Sequence, residues 1–149
     1  MGIFNLYNMG NLEIRKAKFE DLDGIAQLLT ESFDKTKPAT RYWWRIMENP
    51  KVHTYVIEDG GLIVGTATLY IMEKLIHSGS YVGQIEDVCV SERYGGQGLG
   101  QKLVQRLIDE SKELKCYKVV LNCSEDLVKF YEKSGFYQKE VQMRFDLRE

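Results

Sequence analysis

An α/β protein with a mixed central sheet flanked by helices is the fold class this sequence predicts, on three observations. Leu99, Leu103, Val104, Leu107, Ile108 and Leu114 recur at helical spacing and give the strongest helix signal in the chain. Two strand-like runs, 52–58 and 62–72, flank Asp59-Gly60-Gly61, a hairpin signal. The full order of elements reads β-α-α-β-β-β-α-β-α-β, which stacks helices against a sheet of mixed direction.

From the N-terminus, residues 1–11 read as an extension ahead of one domain spanning residues 12–149. Leu12–Ala17 alternates as a first strand, and Asp21–Phe33 carries Leu22, Ile25, Leu28 and Leu29 at helical spacing. Asp34–Thr40 is polar, contains Pro38 and reads as a loop. Tyr42–Met47 predicts a short aromatic helix stopped before Pro50, with Tyr42-Trp43-Trp44 as packing residues. After the hairpin come a strand, Tyr81–Val90, and the long helix, Gly98–Leu114. Val119–Leu121 is all apolar, as expected for a short strand buried on both faces. Ser124 is placed to cap a helix over Glu125–Ser134, whose first turn is acidic. Gly135 ends it, and Phe136–Leu147 returns as a last strand.

Composition excludes several classes. With 149 residues, 44% hydrophobic and 28% charged, the chain can bury a core and is not of the disordered type. Its 20 Lys+Arg and 22 Asp+Glu leave a net charge of −2, without the basic footprint of a nucleic-acid binder. No apolar run approaches the ~18 residues of a membrane span. Residues 1–11 have too little charge for a transit peptide and too short an apolar run for a secretory signal. Cys89, Cys116 and Cys123 are odd in number and lack the Cys/His spacing of a zinc site. They are expected to be buried thiols of a reducing compartment, the cytoplasm, and no metal is expected.

The chemistry concentrates between Ile85 and Gly100, which read I-E-D-V-C-V-S-E-R-Y-G-G-Q-G-L-G. Glycines ahead of a helix let the backbone approach an anion and aim free N–H groups at it. No Lys-Ser/Thr follows Gly100, so this is not a P-loop, and no acidic residue ends a strand ~20 residues on, so it is not a dinucleotide fingerprint. A pyrophosphate-binding loop of another kind fits. Glu86 and Asp87 interrupt an apolar strand, where carboxylates are costly unless paired or functional. Being adjacent, they are expected on opposite faces.

These residues resemble the acetyl-coenzyme A motif of the GNAT superfamily of N-acetyltransferases. Four segments in order are similar to the glucosamine 6-phosphate N-acetyltransferases within it: Gln84–Val88, Tyr94–Gly100, Cys116–Val119 and Phe130–Phe136, with Lys74-Leu75-Ile76-His77 ahead of them. The resemblance covers roughly Glu73–Met143. It implies the GNAT acyl-CoA N-acyltransferase fold, acetyl-CoA as co-substrate, and an amino-sugar phosphate as acceptor, without nucleic acid or membrane partners. In two places the chain departs from the pattern: Gly95 stands where the superfamily often has Arg or Gln, and Asn122 where some relatives have an acid.

The resemblance assigns the site residue by residue. Val88, Cys89, Val90, Gly95, Gly96, Gln97, Gly98, Leu99, Gly100, Asn122 and Tyr131 are expected at the coenzyme, with a backbone N–H near Val88 facing the thioester. Lys74, His77, Glu86, Asp87, Tyr117, Lys118 and Arg144 are expected at the sugar phosphate. Tyr131, which periodicity alone reads as core, becomes the proton donor to the departing thiolate, and Glu86 and Asp87 steady or deprotonate the amine. The resemblance also implies a homodimer whose C-terminal strands complete each other's site. Asp146 stands where an arginine is expected there, so Arg144, or Arg148 on the same face, is the candidate contact. Two other readings stay open: a GNAT enzyme acting on another amine (a protein N-terminus, a lysine or a polyamine) and a non-catalytic acyl-coenzyme A module.

Overall fold

Five strands form one sheet in the order β1-β2-β3-β4-β5, in a computed structural model that describes residues 11–33 and 40–148. β1 (Leu12–Lys16), β2 (Val52–Asp59), β3 (Leu62–Glu73) and β4 (Tyr81–Val90) pair antiparallel in succession. β5 (Cys116–Leu121) runs parallel to β4, so the sheet is mixed. The expected extension lies outside the described residues up to residue 10, and the expected loop lies outside them from 34 to 39.

Alternation along the strands separates two apolar layers. Val56 faces Ile25 of α1 (Leu22–Ser32) and Trp43 of α2 (Trp43–Met47). A single turn, α3 (Ile76–Gly79), leads into β4. Tyr55, Ile57, Ala67, Leu69 and Ile85 face the opposite way, onto α4 (Leu99–Glu113). The stripe read from the sequence is the buried one: Leu103, Val104 and Leu107 are fully enclosed. α5 (Val128–Glu132) closes the same layer with Tyr131.

Three expectations at the C-terminal end are corrected. β5 is not buried on both faces; its residues are half-buried or exposed, because it is the sheet's edge among the described residues. The last strand over Phe136–Leu147 does not form, and Val141, Met143, Phe145 and Leu147 are 85–89% exposed. An extended segment becomes a strand only by pairing, and within one chain this one pairs with nothing described. The helix expected over Glu125–Ser134 divides into a 3₁₀ turn, Glu125–Leu127, and α5. Ser124 has extended cap geometry but makes no side-chain capping bond.

One charged residue of α4 is enclosed rather than solvated. Glu110 is 4% exposed, and its carboxylate accepts from Tyr55 Oη at 2.6 Å and Arg106 at 2.6 Å. Lys16 Nζ and His53 Nδ1 each lie 3.0 Å away. The cluster joins β1 and β2 to α4 and holds the helix in register against the sheet. Burial opposes the charge, but the bonds from Tyr55, Lys16 and Arg106 outweigh it and hold the carboxyl at about 2. Because this lies below the ordinary 4.5, the stabilisation is complete above about pH 4.5 and is lost as pH falls toward 2. Glu110→Gln is expected to cost roughly 3 kcal/mol at neutral pH, by removing the buried charge that Lys16 and Arg106 pair with. In thermal unfolding, the gap between parent and variant should close between pH 4.5 and 2; a gap that stays constant would remove Glu110 as its source.

Candidate active site

Parallel pairing of β4 with β5 runs from Tyr81↔Cys116 to Ile85↔Leu121 and stops there, while β4 continues to Val90. The two strands therefore part beyond Ile85. On its other side β4 is held by β3, with Thr68 opposite Glu86 and Thr66 opposite Cys89. Asp87 and Val88 are thus set against the single residue Ala67. Such a bulge turns backbone groups out of the ladder, and Asp87 absorbs it with a left-handed φ of 54°. The opening lies where the sequence reading placed a backbone donor, around Val88.

The bulge corrects the expectation that Glu86 and Asp87 point to opposite faces. Glu86 shares the face of its register partner Thr68, and Gln84 Nε2 donates to Glu86 Oε1 at 2.9 Å. Asp87 borders a cavity of about 160 Å³ whose sheet wall includes Thr66, Thr68 and Tyr70, so it opens toward that same face. The left-handed residue takes back the half-turn that strand alternation would impose. Although solvent reaches part of Asp87, the surrounding wall desolvates it; burial first, then Glu86, push its carboxyl up. Tyr70 is pushed up by burial, then by Asp87 and Glu86. The sequence reading passed over Tyr70. The signal available was its period-2 spacing from Thr66 and Thr68, which fixes its face.

Beyond the parted strands lies the glycine loop. Gly96 and Gly98 are left-handed at φ 74° and 71°, and a Cβ on either would stand in open space. Loop backbone is therefore accessible to an incoming anion. The first α4 bond is Lys102 N–H to Gly98 C=O, so the N–H groups of Leu99, Gly100 and Gln101 precede the ladder. Gly95 and Gln97 are exposed, whereas the Leu99 side chain is buried and anchors the loop. Gly100 has a packing reason as well: a Cβ there would stand 3.0 Å from Phe130 Cζ. Tyr94, also passed over, ties the loop to the β2–β3 hairpin by donating to Asp59 at 2.6 Å. Of the three thiols expected to be buried only Cys89 is, hydrogen-bonded to Ser32 of α1, so only its backbone is available to the opening; Cys116 on the edge strand is half-buried and Cys123 beyond it is exposed.

Tyr131 is 9% exposed, with Phe130 and Phe136 edge-on to its ring at 4.9 and 6.0 Å. Its packing role, read from periodicity, is real. Its hydroxyl is pushed up by burial, then by Cys123 and Glu86. Proximity to Glu86 brings it to the carboxylate end of β4, and it keeps its proton at neutral pH. Asn122 is exposed at the end of β5.

The expected sugar-phosphate residues do not all gather with the carboxylates. His77 stacks on Tyr117 at 4.4 Å, and Lys118 Nζ lies 5.6 Å from the Tyr117 ring. Lys74 is three residues from His77 at the foot of the same turn, in which His77 and Ser78 are left-handed. Yet Lys118 lies opposite Val82, so its backbone sits about 13 Å from that of Glu86 along β4. Arg144 is in the exposed C-terminal segment, paired with Asp146 at 2.6 Å.

Comparison with known proteins accords with this geometry. Residues 17–136 match the Acetyltransferase (GNAT) family. The chain is 49% identical over 87 residues to the glucosamine 6-phosphate N-acetyltransferase of Trypanosoma brucei brucei, covering 58% of this chain and 59% of that protein. It is 44% identical over 92 residues to that of Candida albicans, covering 61% and 62%. The chain thus spans about three-fifths of the length of these curated relatives. A Trypanosoma brucei acetyltransferase structure superposes with a TM-score of 0.83 at 37% identity, over 92% of this chain and 100% of that one. An Arabidopsis thaliana glucosamine-6-phosphate N-acetyltransferase structure does so with 0.83 at 33%, over 93% and 99%. With the family matched across most of its length, this chain belongs to the acetyltransferase (GNAT) family.

Proposed function

We propose that the chain transfers the acetyl group of acetyl-CoA to the amine of glucosamine 6-phosphate, by direct attack in a ternary complex. The observation that carries it is the left-handed bulge at Asp87, which sets two carboxylates on one face beside the parting of β4 and β5. Relatives at 44–49% identity bear that enzyme's name. The glycine loop fits a pyrophosphate: its left-handed glycines leave backbone accessible and α4 adds the field of its N-terminus. Acetyl-CoA, when bound, supplies an activated thioester carbonyl and a thiolate leaving group.

This chain's residues do the rest. Glu86 and Asp87 orient the amine and accept its proton, the more readily because burial and mutual repulsion raise Asp87. Backbone N–H groups at the bulge, freed from regular pairing, stabilise the oxyanion. Tyr131 keeps its proton until the thiolate departs, then donates it from Oη. Cys89 and Cys116 are pushed up by burial and make poor nucleophiles, which favours direct attack over an acetyl-enzyme. The three free thiols suit a reducing compartment such as the cytoplasm, and among the described residues no helix is long and apolar enough to cross a membrane.

The exposed C-terminal segment favours a C2 homodimer. The open edge of β5 and the exposed row Val141, Met143, Phe145 and Leu147 suit strand exchange with a second copy. Arg144, or Arg148, would then reach the partner's sugar phosphate.

Three outcomes test the proposal. In an acetyl-transfer assay across an amine panel, glucosamine 6-phosphate should exceed glucosamine by at least about tenfold in kcat/KM; equality would defeat the substrate assignment. Tyr131→Phe should keep coenzyme affinity by calorimetry and lower kcat about 10²-fold; parental turnover across the pH profile would move the acid role elsewhere. Light scattering at assay concentration should give the mass of a dimer, and a fully active monomer would rule strand exchange out.

A further inference from the structure

The cavity beside Asp87 has a chemistry that a sugar phosphate does not match. It lies between the sheet and the first two helices, with Ile25, Ala26, Leu29 and Trp43 among its apolar walls. Its sheet floor carries the hydroxyls of Thr54, Thr66 and Thr68, each bonded within the protein. Thr54 and Thr68 bond each other at 3.0 Å, and Thr66 Oγ1 donates to the Tyr55 carbonyl at 3.0 Å. The other polar side chains bordering it are Asp87 and Tyr70 on the sheet side and Thr40 and Tyr42 on the helix side, around walls that are otherwise apolar.

A polyol carried past this rim would bury hydroxyls against the apolar walls without partners, at about 1–3 kcal/mol each. A phosphate would also meet the carboxylate pair. The complementary ligand has one positive or proton-donating head and an apolar body. Size agrees: an apolar cavity of about 150 Å³ holds a benzene ring, and this one is about 160 Å³.

We propose that this cavity is a second acceptor subsite for small apolar primary amines, such as benzylamine, with the amino group held at Asp87 and the ring between α1 and the sheet. The subsite rests on the acetyl-transfer reading for its acetyl donor. The amine nitrogen forms a bond to the acetyl carbonyl carbon and the carbon–sulfur bond breaks. The bound ammonium first loses one proton through the Asp87 carboxylate to solvent, the second leaves by the same route after attack, and Tyr131 protonates the thiolate and recovers its proton from solvent. The products are an N-acetylamine and coenzyme A. The nitrogen occupies one place for both acceptor classes; only the body differs, entering the cavity or extending along β4. The two amines therefore compete.

The test compares benzylamine with glucosamine 6-phosphate in parent and Ala26→Phe, which fills the cavity without touching the carboxylates. N-acetylbenzylamine is identified by mass spectrometry. The parent should acetylate benzylamine, and Ala26→Phe should lower its kcat/KM at least tenfold while leaving glucosamine 6-phosphate within twofold. Retained sugar activity also certifies the fold of the variant; should Ala26→Phe fail to fold, Leu29→Trp fills the same space. A parent that acetylates the sugar but not benzylamine overturns the subsite. So does a parallel loss of both activities in a folded variant, which would make the cavity the sugar's own pocket. If neither amine is acetylated, the acetyl-transfer reading fails and binding decides the subsite. Benzylamine raising the Tm of the parent but not of the filled variant supports it, and no Tm change in either overturns it.

Discussion

The left-handed conformation of Asp87 is the constraint on which the rest of the site depends. A non-glycine residue at positive φ costs on the order of 1–2 kcal/mol, and β3 imposes it. Thr68 opposite Glu86 and Thr66 opposite Cys89 leave two residues of β4 against one of β3. With both ends of the mismatch fixed in the ladder, the extra length must bow outward. From that one mismatch follow the interrupted ladder at Val88, the shared face of Glu86 and Asp87, and the place of Asp87 at a cavity rim. The strain is stored where the proposed reaction needs backbone donors and carboxylates together.

The second support lies on the far side of the sheet. α4 must present its N-terminus and the glycine loop at the parting of β4 and β5. Its apolar stripe fixes its rotation but leaves it free to slide along the sheet. The enclosed Glu110, with partners on β1, β2 and its own helix, removes that freedom. Tyr94 to Asp59 and Phe130 against Gly100 hold the loop from two further directions. The coenzyme end of the site is thus positioned by polar anchors that play no part in the proposed chemistry.

Local pattern made much of this legible. The hairpin at Asp59-Gly60-Gly61, the strand Tyr81–Val90 and the stripe of α4 each depend on neighbouring residues, and all three appear as read. The place of the glycine loop ahead of α4 and the burial of Tyr131 were also readable, while the roles proposed for them rest on resemblance to a family. What was not legible depends on pairing between distant segments. The bulge at Asp87 is decided by its register with β3, so alternation alone put the two carboxylates on opposite faces. The apolar alternation from Val141 to Leu147 suits a strand, but it needs an edge to pair with, and within one chain it stays exposed. Glu110 gives no local signal of burial because its partners Lys16, His53 and Tyr55 are remote in sequence.

The most direct test is the turnover of Asp87→Asn with glucosamine 6-phosphate, measured beside coenzyme A affinity by calorimetry. Asparagine keeps the size of the side chain and tolerates a left-handed backbone, so the bulge survives while the carboxylate is lost. The predicted result is a fall in kcat of about 10²-fold or more, with coenzyme affinity unchanged. A variant that binds the coenzyme and turns over like the parent would contradict the claim that the bulge exists to set this carboxylate at the amine.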